Sequence, residues 1–164
     1  MFFCQGFYKI KLILMRHTET TWGYGQEDHT RQLTTKGKRQ ALDLGVWLSA
    51  QRYAPTQALV SDATRTQQTF EALNQKCPVL KSKNLYLAEP KNIILEIQKV
   101  ETDCLLILAH NPGLAELAIK ITSPNPAHHQ FFNYPPGSTL VLEYNGDNYS
   151  SQVVNFITPD DLSL

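Results

Sequence analysis

The stretch Lys11-Leu12-Ile13-Leu14-Met15-Arg16-His17 decides the fold, because a short apolar run ends there in an adjacent cation and imidazole. Apolar runs of this length are typical of fully buried parallel strands or of pieces of buried helix. The β-branched Ile13 and the polar residues of 18–21 favour the strand. Ligands of open α/β sheets bind beyond the carboxyl ends of the strands, so Arg16 and His17 are predicted to stand at the mouth of a crevice.

Two further apolar segments end in polar residues in the same way. The segment Cys104–Ala109 runs directly into His110, and the segment Gln57–Val60 leads into a helical segment that carries Arg65 in its first turn. Together with Arg16 and His17 at the end of the first strand, these segments supply two histidines and two arginines. Arginine presents a planar fork of donors that suits phosphate oxygens, so the sequence predicts a dianionic phosphoryl group as the ligand.

A helix N-terminus is expected to open beside His110. Asn111 is a good N-cap residue, and Pro112 suits the first helical turn. The free N–H groups and the positive end of the helix dipole would then point at the crevice, where they favour an anion.

The remaining pattern predicts one three-layer α/β/α sandwich with a mostly parallel central sheet and a C-terminal antiparallel hairpin. Val79-Leu80 is a candidate edge strand, residues Ser123–Gly137 with their four prolines indicate an irregular loop, and Asn145-Gly146-Asp147 favours the hairpin turn. The predicted helices and hairpin strands are Leu33–Gln51, Ala63–Asn74, a segment opening at Pro90, a segment after His110, Ser138–Tyr144 and Ser150–Ile157. Residues 1–164 are expected to form a single domain, with residues 1–8 as a frayed extension.

The composition excludes several classes of function. Lys plus Arg and Asp plus Glu number 15 each, so no global field attracts nucleic acid, a membrane or an acidic partner, and attraction for an anion must be local. The three cysteines, Cys4, Cys77 and Cys104, are odd in number and widely spaced, which indicates free thiols in a reducing compartment rather than disulfides or zinc. No segment approaches the roughly 20 apolar residues of a membrane span, so we expect a soluble, cytoplasmic protein.

Four sequence blocks occur in an order that resembles the histidine phosphatase superfamily, which also contains the cofactor-dependent phosphoglycerate mutases. The blocks are Arg16-His17-Thr18-Glu19-Thr20, Leu33-Thr34-Thr35-Lys36-Gly37 with Gln40-Ala41, Ser61-Asp62-Ala63-Thr64-Arg65-Thr66-Gln67-Gln68-Thr69, and Ala109-His110-Asn111. The resemblance runs from Lys11 to about Thr122. The short length is most similar to the small SixA-type phosphohistidine phosphatases.

This resemblance implies that His17 attacks phosphorus, forms a covalent phosphohistidine and releases it to water. It also implies that Arg16, Arg65 and His110 hold the three equatorial oxygens of the transferring group, without a metal or cofactor. A neutral imidazole suffices as the nucleophile at pH 7, because its ordinary pKa is about 6.5. Position alone does not choose between His17 and His110.

The donor of a proton to a leaving alkoxide stays open. The candidates are Glu19, two residues after His17, and Glu89, which could instead merely cap the helix that opens at Pro90. The glycine-rich continuation that follows the donor glutamate in mutase-like branches is absent after Glu89. The leaving group of a phosphohistidine is a ring nitrogen, which is protonated more readily than an alkoxide. A weak or absent acid would therefore be tolerable, and this favours the phosphohistidine branch.

Two residues depart from the pattern or extend it. Thr18 stands where the family usually has glycine, and it is a candidate substrate contact. Arg31 matches a position where the short phosphatases often carry arginine, and it either contacts the substrate or lies on a solvated surface. The adjacent pair His128-His129 lacks the spacing of metal ligands, so a surface or rim role is expected.

The sequence therefore predicts a metal-independent phosphatase that acts on phosphohistidine in a protein partner, such as a phosphotransfer domain, with a monomer favoured. A small-molecule phosphomonoesterase for sugar phosphates or nucleotides is the alternative. A non-catalytic phosphate-binding module is the alternative of another class. A mutase is least favoured, because a short chain has little material to enclose a bisphosphate cofactor. Specificity is expected in the loops Thr20–Arg31 and Ser123–Gly137.

Overall fold

One six-stranded sheet runs through the computed structural model, which describes residues 9–122, 129–146 and 151–163. The strands are β1 (Ile10–Arg16), β2 (Gln57–Ser61), β3 (Val79–Ser82), β4 (Cys104–Ala109), β5 (Thr139–Tyr144) and β6 (Gln152–Ile157). They lie in the order β3-β2-β4-β1-β5-β6. The pairs from β3 to β1 are parallel, whereas β5 pairs antiparallel with both β1 and β6. The predicted mostly parallel sheet with an antiparallel C-terminal pair is confirmed.

Helices cover both faces of this sheet. In the described residues they are α1 (Thr35–Ala50), α2 (Thr64–Leu73), α3 (Pro90–Ile97), α4 (Gly113–Thr122) and α5 (His129–Phe132). Leu12 and Leu14 of β1 pack in a cluster with residues of α3 and α4, whereas Ile13 and Met15 pack with residues of α1 and α2. Successive side chains of a strand point to opposite faces, so β1 is apolar throughout because both faces are buried. The α/β/α sandwich is confirmed.

Local signals place the helix ends within a few residues of the predictions. Helix α1 begins at Thr35, because the Thr34 side chain accepts a hydrogen bond from the Gly37 N–H at 2.9 Å and acts as N-cap. Strand β3 lies at the edge of the sheet, as predicted, and Ile93, Ile94 and Ile97 of α3 are buried.

The prediction of an irregular loop over Ser123–Gly137 is wrong at residues 129–132, which form α5. Phe131 and Tyr134 are buried in this segment, and the Tyr134 hydroxyl donates to the carbonyl of Leu14 at 2.7 Å. Aromatic residues that reach the core therefore order a segment that its prolines suggested was irregular.

Several predictions fall outside the described residues. These are the frayed extension at 1–8, Cys4, His128 and part of the hairpin turn at 145–147. Within the described residues, no helix is long and apolar enough to cross a membrane.

Candidate active site

The carboxyl ends of β1 and β4 bring two histidines together at one edge of the sheet. Parallel pairing places Arg16 opposite Ala109, and the next residues along the two strands are His17 and His110. The backbone N–H of His17 donates to the carbonyl of Ala109 at 3.2 Å, and the two imidazole centroids lie 5.4 Å apart. The structure thus places this pair at the edge where ligands of α/β sheets bind.

His17 is buried, and the adjacent backbone orients its ring. Nδ1 lies 2.8 Å from the carbonyl oxygen of Thr18. Because a carbonyl oxygen only accepts, Nδ1 carries the hydrogen and Nε2 carries the lone pair. Burial and the positive charges of Arg65 and Arg16 lower the pKa of His17 to about 3, against the hydrogen bond to Thr18, which raises it. The imidazole is therefore neutral at pH 7, with Nε2 available as a nucleophile.

His110 is also buried and neutral. Its Nε2 lies 2.8 Å from Oγ of Ser61, the last residue of β2. Burial, followed by the positive charge of Arg65, lowers the pKa of His110 to about 3. When Ser61 donates to Nε2, the ring hydrogen is on Nδ1, which can then donate to an anion.

Arg16 and Arg65 bring two guanidinium groups to the same edge. Nη1 of Arg16 donates to the carbonyl of Tyr134 at 2.8 Å. Arg65 lies in the first turn of α2, where it is buried, and its Nη1 and Nη2 donate to the backbone carbonyl (2.5 Å) and the carboxylate (3.0 Å) of Asp28. Burial and the like charges of Arg65 and Arg31 lower the pKa of Arg16, so the three cations lie close together.

Three polar atoms of these side chains are buried without a hydrogen-bond partner in the described part of the chain. They are Nε of Arg16, Nε of Arg65 and Nδ1 of His110. Buried polar groups in proteins are nearly always hydrogen-bonded, so unpaired ones call for a ligand or water. A phosphoryl group presents three equatorial oxygens to such donors. The arrangement can therefore bind a phosphoryl group beside the neutral imidazole of His17.

Asp28 and Tyr86 belong to this constellation, although sequence reasoning missed both. The carboxylate of Asp28 accepts hydrogen bonds from Arg65 (3.0 Å), Arg31 (3.1 Å) and the hydroxyl of Tyr86 (2.6 Å). Burial alone raises the pKa of Asp28, but the hydrogen bonds from Tyr86, Arg31 and Arg65 outweigh it and hold that pKa well below its usual range. The side chain is therefore an anion at neutral pH. No local pattern around Asp28 or Tyr86 distinguishes them from other polar loop residues.

Arg31 is tied into the loop that precedes α1. Its Nε donates to the Thr21 carbonyl at 3.0 Å, its Nη2 donates to Oγ1 of Thr20, and its guanidinium carbon lies 4.0 Å from the ring centroid of Trp22. The Arg31 side chain is only 13% exposed, so the predicted alternative of a solvated surface residue is wrong. A direct contact between Arg31 and the substrate stays a prediction.

The two candidate proton donors are engaged elsewhere. Glu19 accepts from Oγ1 of Thr34 at 2.8 Å and pairs with Lys36 at 3.1 Å, and hydrogen bonds from these residues lower its pKa. The exposed Glu89 lies 3.7 Å from Nζ of Lys91. Glu89 holds the N-cap position of α3, as one alternative predicted, but its side chain makes no capping hydrogen bond.

Thr18 and Asn111 link the strand ends to neighbouring segments. The backbone N–H of Thr18 donates to Oγ1 of Thr69 in α2 at 3.3 Å, and the two hydroxyl oxygens are also 3.3 Å apart. The prediction that Asn111 caps α4 is wrong, because α4 begins at Gly113 and the Asn111 amide donates to the Tyr134 carbonyl at 2.9 Å. A substrate contact by Thr18 stays a prediction.

No group of three or more His, Cys, Asp or Glu side chains in the described ranges is arranged to hold a metal ion. Cys77 and Cys104 are free thiols. The described donors at the strand ends are therefore arginine and histidine nitrogens, which suit an anion better than a cation.

Two buried histidines and two arginines thus meet at the edge formed by the ends of parallel strands in an α/β/α sandwich, an arrangement suited to a phosphoryl group. The model of the histidine phosphatase superfamily (branch 1) matches residues 12–89. An uncharacterised protein of Mycobacterium tuberculosis (strain H37Rv) is 36% identical over 111 residues, which cover 66% of this chain and 70% of that relative. The chain belongs to the histidine phosphatase superfamily.

Solved structures extend the likeness to the whole fold. The proposed phosphohistidine phosphatase SixA of Nakamurella multipartitia has a TM-score of 0.83 and 24% identity, covering 93% of this chain and 97% of that one. The protein histidine phosphatase SixA in complex with tungstate has a TM-score of 0.80 and 18% identity, covering 93% and 99%. At these identities the structural likeness concerns the fold.

Proposed function

We propose that this phosphatase hydrolyses phosphohistidine in a protein partner, such as a phosphotransfer domain, through a covalent phosphohistidine formed on His17. Nε2 of His17 attacks phosphorus, the P–N bond to the substrate breaks, and the substrate imidazole leaves with a proton taken from water. Water then attacks the phosphoryl group on His17, the P–Nε2 bond breaks, and inorganic phosphate and neutral His17 are released. Neither step changes an oxidation state, so no redox partner is needed. We propose that neither a metal nor a cofactor takes part.

The orientation of His17 is the observation that carries this proposal. The 2.8 Å contact between Nδ1 and the Thr18 carbonyl supports the tautomer whose lone pair is on Nε2. A pKa of about 3 keeps that lone pair free of a proton at neutral pH. His110 has the opposite arrangement, because its Nε2 is occupied by Ser61 and its unpaired atom is Nδ1. This contrast supports His17 as the nucleophile and His110 as a hydrogen-bond donor.

The proposed substrate class follows from the proton that the leaving group needs. Glu19 is bonded to Thr34 and Lys36, and Glu89 is exposed beside Lys91, so neither is held ready to protonate an alkoxide. A leaving imidazole takes its proton from water far more readily than an alkoxide does. The position of both glutamates therefore supports a phosphohistidine substrate over a phosphomonoester.

A protein partner is supported by the loop before α1. Trp22 is 88% exposed and Tyr24 is fully exposed, and large aromatic side chains of this kind are enriched at protein interfaces. Trp22 packs on Arg31, which in turn pairs with Asp28 beside Arg65. The exposed aromatics thus adjoin the arginines that would bind the phosphoryl group. A cytoplasmic location and a monomeric state complete the proposal.

The test compares phosphate release from a histidine-phosphorylated phosphotransfer protein and from p-nitrophenyl phosphate, with a chelator present. The wild type is expected to act much faster on the protein, and His17→Ala is expected to lose both activities. Brief incubation with labelled substrate should leave acid-labile phosphate on the wild type and none on His17→Ala. Turnover that survives in His17→Ala would refute the mechanism. Strong ester turnover would instead favour the small-molecule phosphomonoesterase.

A further inference from the structure

Asp28 joins three separate segments of the chain around the buried Arg65. It lies in a short 3₁₀ turn, Asp28–Thr30, and its carboxylate receives hydrogen bonds from α2 through Arg65, from its own loop through Arg31, and from Tyr86. The Asp28 side chain is 46% exposed, whereas that of Arg65 is 3% exposed. A loop residue at the surface is thus the hydrogen-bonding partner of the most enclosed cation of the site.

The two contacts between Asp28 and Arg65 fix the plane of the guanidinium group. Nη1 donates to the backbone carbonyl of Asp28 at 2.5 Å, and Nη2 donates to its Oδ2 at 3.0 Å. Because a guanidinium group is rigid and planar, two contacts from its terminal nitrogens also determine the direction of the Nε–H bond. That Nε is one of the buried atoms without a partner in the described residues. Asp28 therefore determines where the remaining donor of Arg65 points.

Tyr86 holds the Asp28 carboxylate in this position. Its hydroxyl donates to the same Oδ2 that Arg65 contacts, at 2.6 Å. The Tyr86 ring lies edge-on to His110, with centroids 5.5 Å apart, and edge-on to His29 at 4.8 Å. Packing on two imidazoles limits the positions that the ring can take, so the hydroxyl is a fixed donor rather than a mobile one.

Asp28 also supplies the negative charge that this cluster needs before any substrate arrives. Arg16, Arg65 and Arg31 lie close enough for the charges of the other two to lower the pKa of Arg16. A carboxylate that pairs with two of these cations reduces their mutual repulsion. The arginines can then stay assembled in the geometry that binds a phosphoryl group, as preorganised electrostatic catalysis requires.

We propose that Asp28, held by Tyr86, is a positioning residue that aims Arg65 at the transferring phosphoryl group. This inference rests on the proposed function of the same site. Asp28 contacts no reacting atom in this scheme and acts only through Arg65 and Arg31. Its contribution is expected in the transition state, where the equatorial oxygens carry most charge, rather than in ground-state binding of phosphate.

The test measures kcat and the inhibition constant of inorganic phosphate separately, with the histidine-phosphorylated protein as substrate. Asp28→Asn is expected to lower kcat by about 10- to 100-fold. Removing a well-placed hydrogen-bond donor to a transition state lowers kcat by about 10²- to 10³-fold, and a misaligned Arg65 would lose part of that contribution. Phosphate inhibition is expected to stay equal or become tighter, because the variant removes a negative charge beside the arginines. A loss of kcat matched by an equal loss of phosphate binding would show a merely structural role and overturn the proposal.

Tyr86→Phe gives an independent test in case Asp28→Asn folds poorly. It keeps the ring and removes one donor to Asp28, so we expect a fall in kcat of about 3- to 10-fold with phosphate inhibition unchanged. The matched control is Asp43→Asn on the exposed face of α1, which should behave as wild type.

Wild-type kcat in both Asp28→Asn and Tyr86→Phe overturns the positioning role. His17→Ala in the same assay keeps the two proposals distinct. If it is inactive while Asp28→Asn is fully active, only the positioning role of Asp28 fails. If it is active, the proposed function fails as well.

Discussion

His17 and His110, 93 positions apart in the sequence, have ring centroids 5.4 Å apart at the ends of β1 and β4, and burial keeps both rings neutral. Parallel pairing of two apolar strands is sufficient to bring them together, because each histidine directly follows its strand. The burial that keeps both imidazoles neutral also has an energetic consequence for the whole protein at low pH.

Stability is expected to fall as the pH drops from about 6.5 toward 3. In the unfolded chain both histidines titrate near 6.5, whereas in the folded protein their pKa values are about 3. Between these values the unfolded state binds more protons, so the free energy of unfolding rises with pH. The stability conferred by the neutral histidines is therefore complete above pH 6.5 and is lost progressively below it. Each histidine contributes at most about 1.4 kcal/mol per pH unit.

Urea unfolding at pH 7 and pH 5 measures this slope. The side chain of Asn cannot titrate, so in His110→Asn the histidine-dependent fall in the free energy of unfolding between pH 7 and pH 5 should be about half as large. An equally steep decline in His110→Asn would mean that the buried histidines are not its source. The activity should also persist below pH 6, because His17, with a pKa of about 3, is not protonated there as an ordinary histidine would be.

Replacing Glu19 or Glu89 is expected to have little effect on phosphohistidine hydrolysis. Glu19→Gln and Glu89→Gln should each change kcat by less than about threefold, because the carboxylates bond to Thr34 and Lys36 or lie beside Lys91. Steady-state kinetics with the phosphorylated protein and with p-nitrophenyl phosphate checks this. A loss of ester hydrolysis of 10²-fold or more in one variant would identify that glutamate as a working general acid and support the phosphomonoesterase alternative.

Most of the fold and the grouping of four candidate site residues were predictable, since they depend on local patterns. Apolar runs define the strands, and the rule that ligands bind at strand ends brings Arg16, His17, Arg65 and His110 to one edge. Asp28 and Tyr86 were missed because their hydrogen bond spans 58 residues. Two other contacts were missed for the same reason, since the Tyr134 carbonyl meets Arg16 across 118 residues and its hydroxyl meets Leu14 across 120. Such pairings depend on how loops pack after the sheet has formed, which periodicity and capping signals do not specify.

Gly37→Ala is expected to destabilise the protein and to disturb the segment that follows His17. A Cβ at position 37 would lie 2.1 Å from the backbone carbonyl oxygen of Glu19, so either α1 or the Glu19 backbone must move. We expect a loss of about 1–3 kcal/mol, the usual cost of overpacking, with a lower kcat. Chemical denaturation and kinetics measure the two effects. Gly23→Ala in the loop is the control for stability, because its Cβ would meet only the side chain of Gln26, whose flexible end is the nearest atom at 3.1 Å, and its free energy of unfolding should be near that of the wild type.

Tyr134→Phe separates the structural role of this residue from its role in holding Arg16. The Tyr134 hydroxyl donates to the Leu14 carbonyl of β1 at 2.7 Å, whereas Arg16 bonds to the backbone carbonyl of Tyr134, which the substitution retains. Loss of a buried hydrogen bond costs about 1–2 kcal/mol, so the free energy of unfolding should fall by that amount. The kcat should remain within about twofold of wild type, since the contact to Arg16 is made by the main chain. Tyr24→Phe, whose side chain is fully exposed, should leave the free energy of unfolding unchanged. A kcat that falls tenfold in Tyr134→Phe at a temperature where the variant is fully folded would instead place the hydroxyl in the active-site network.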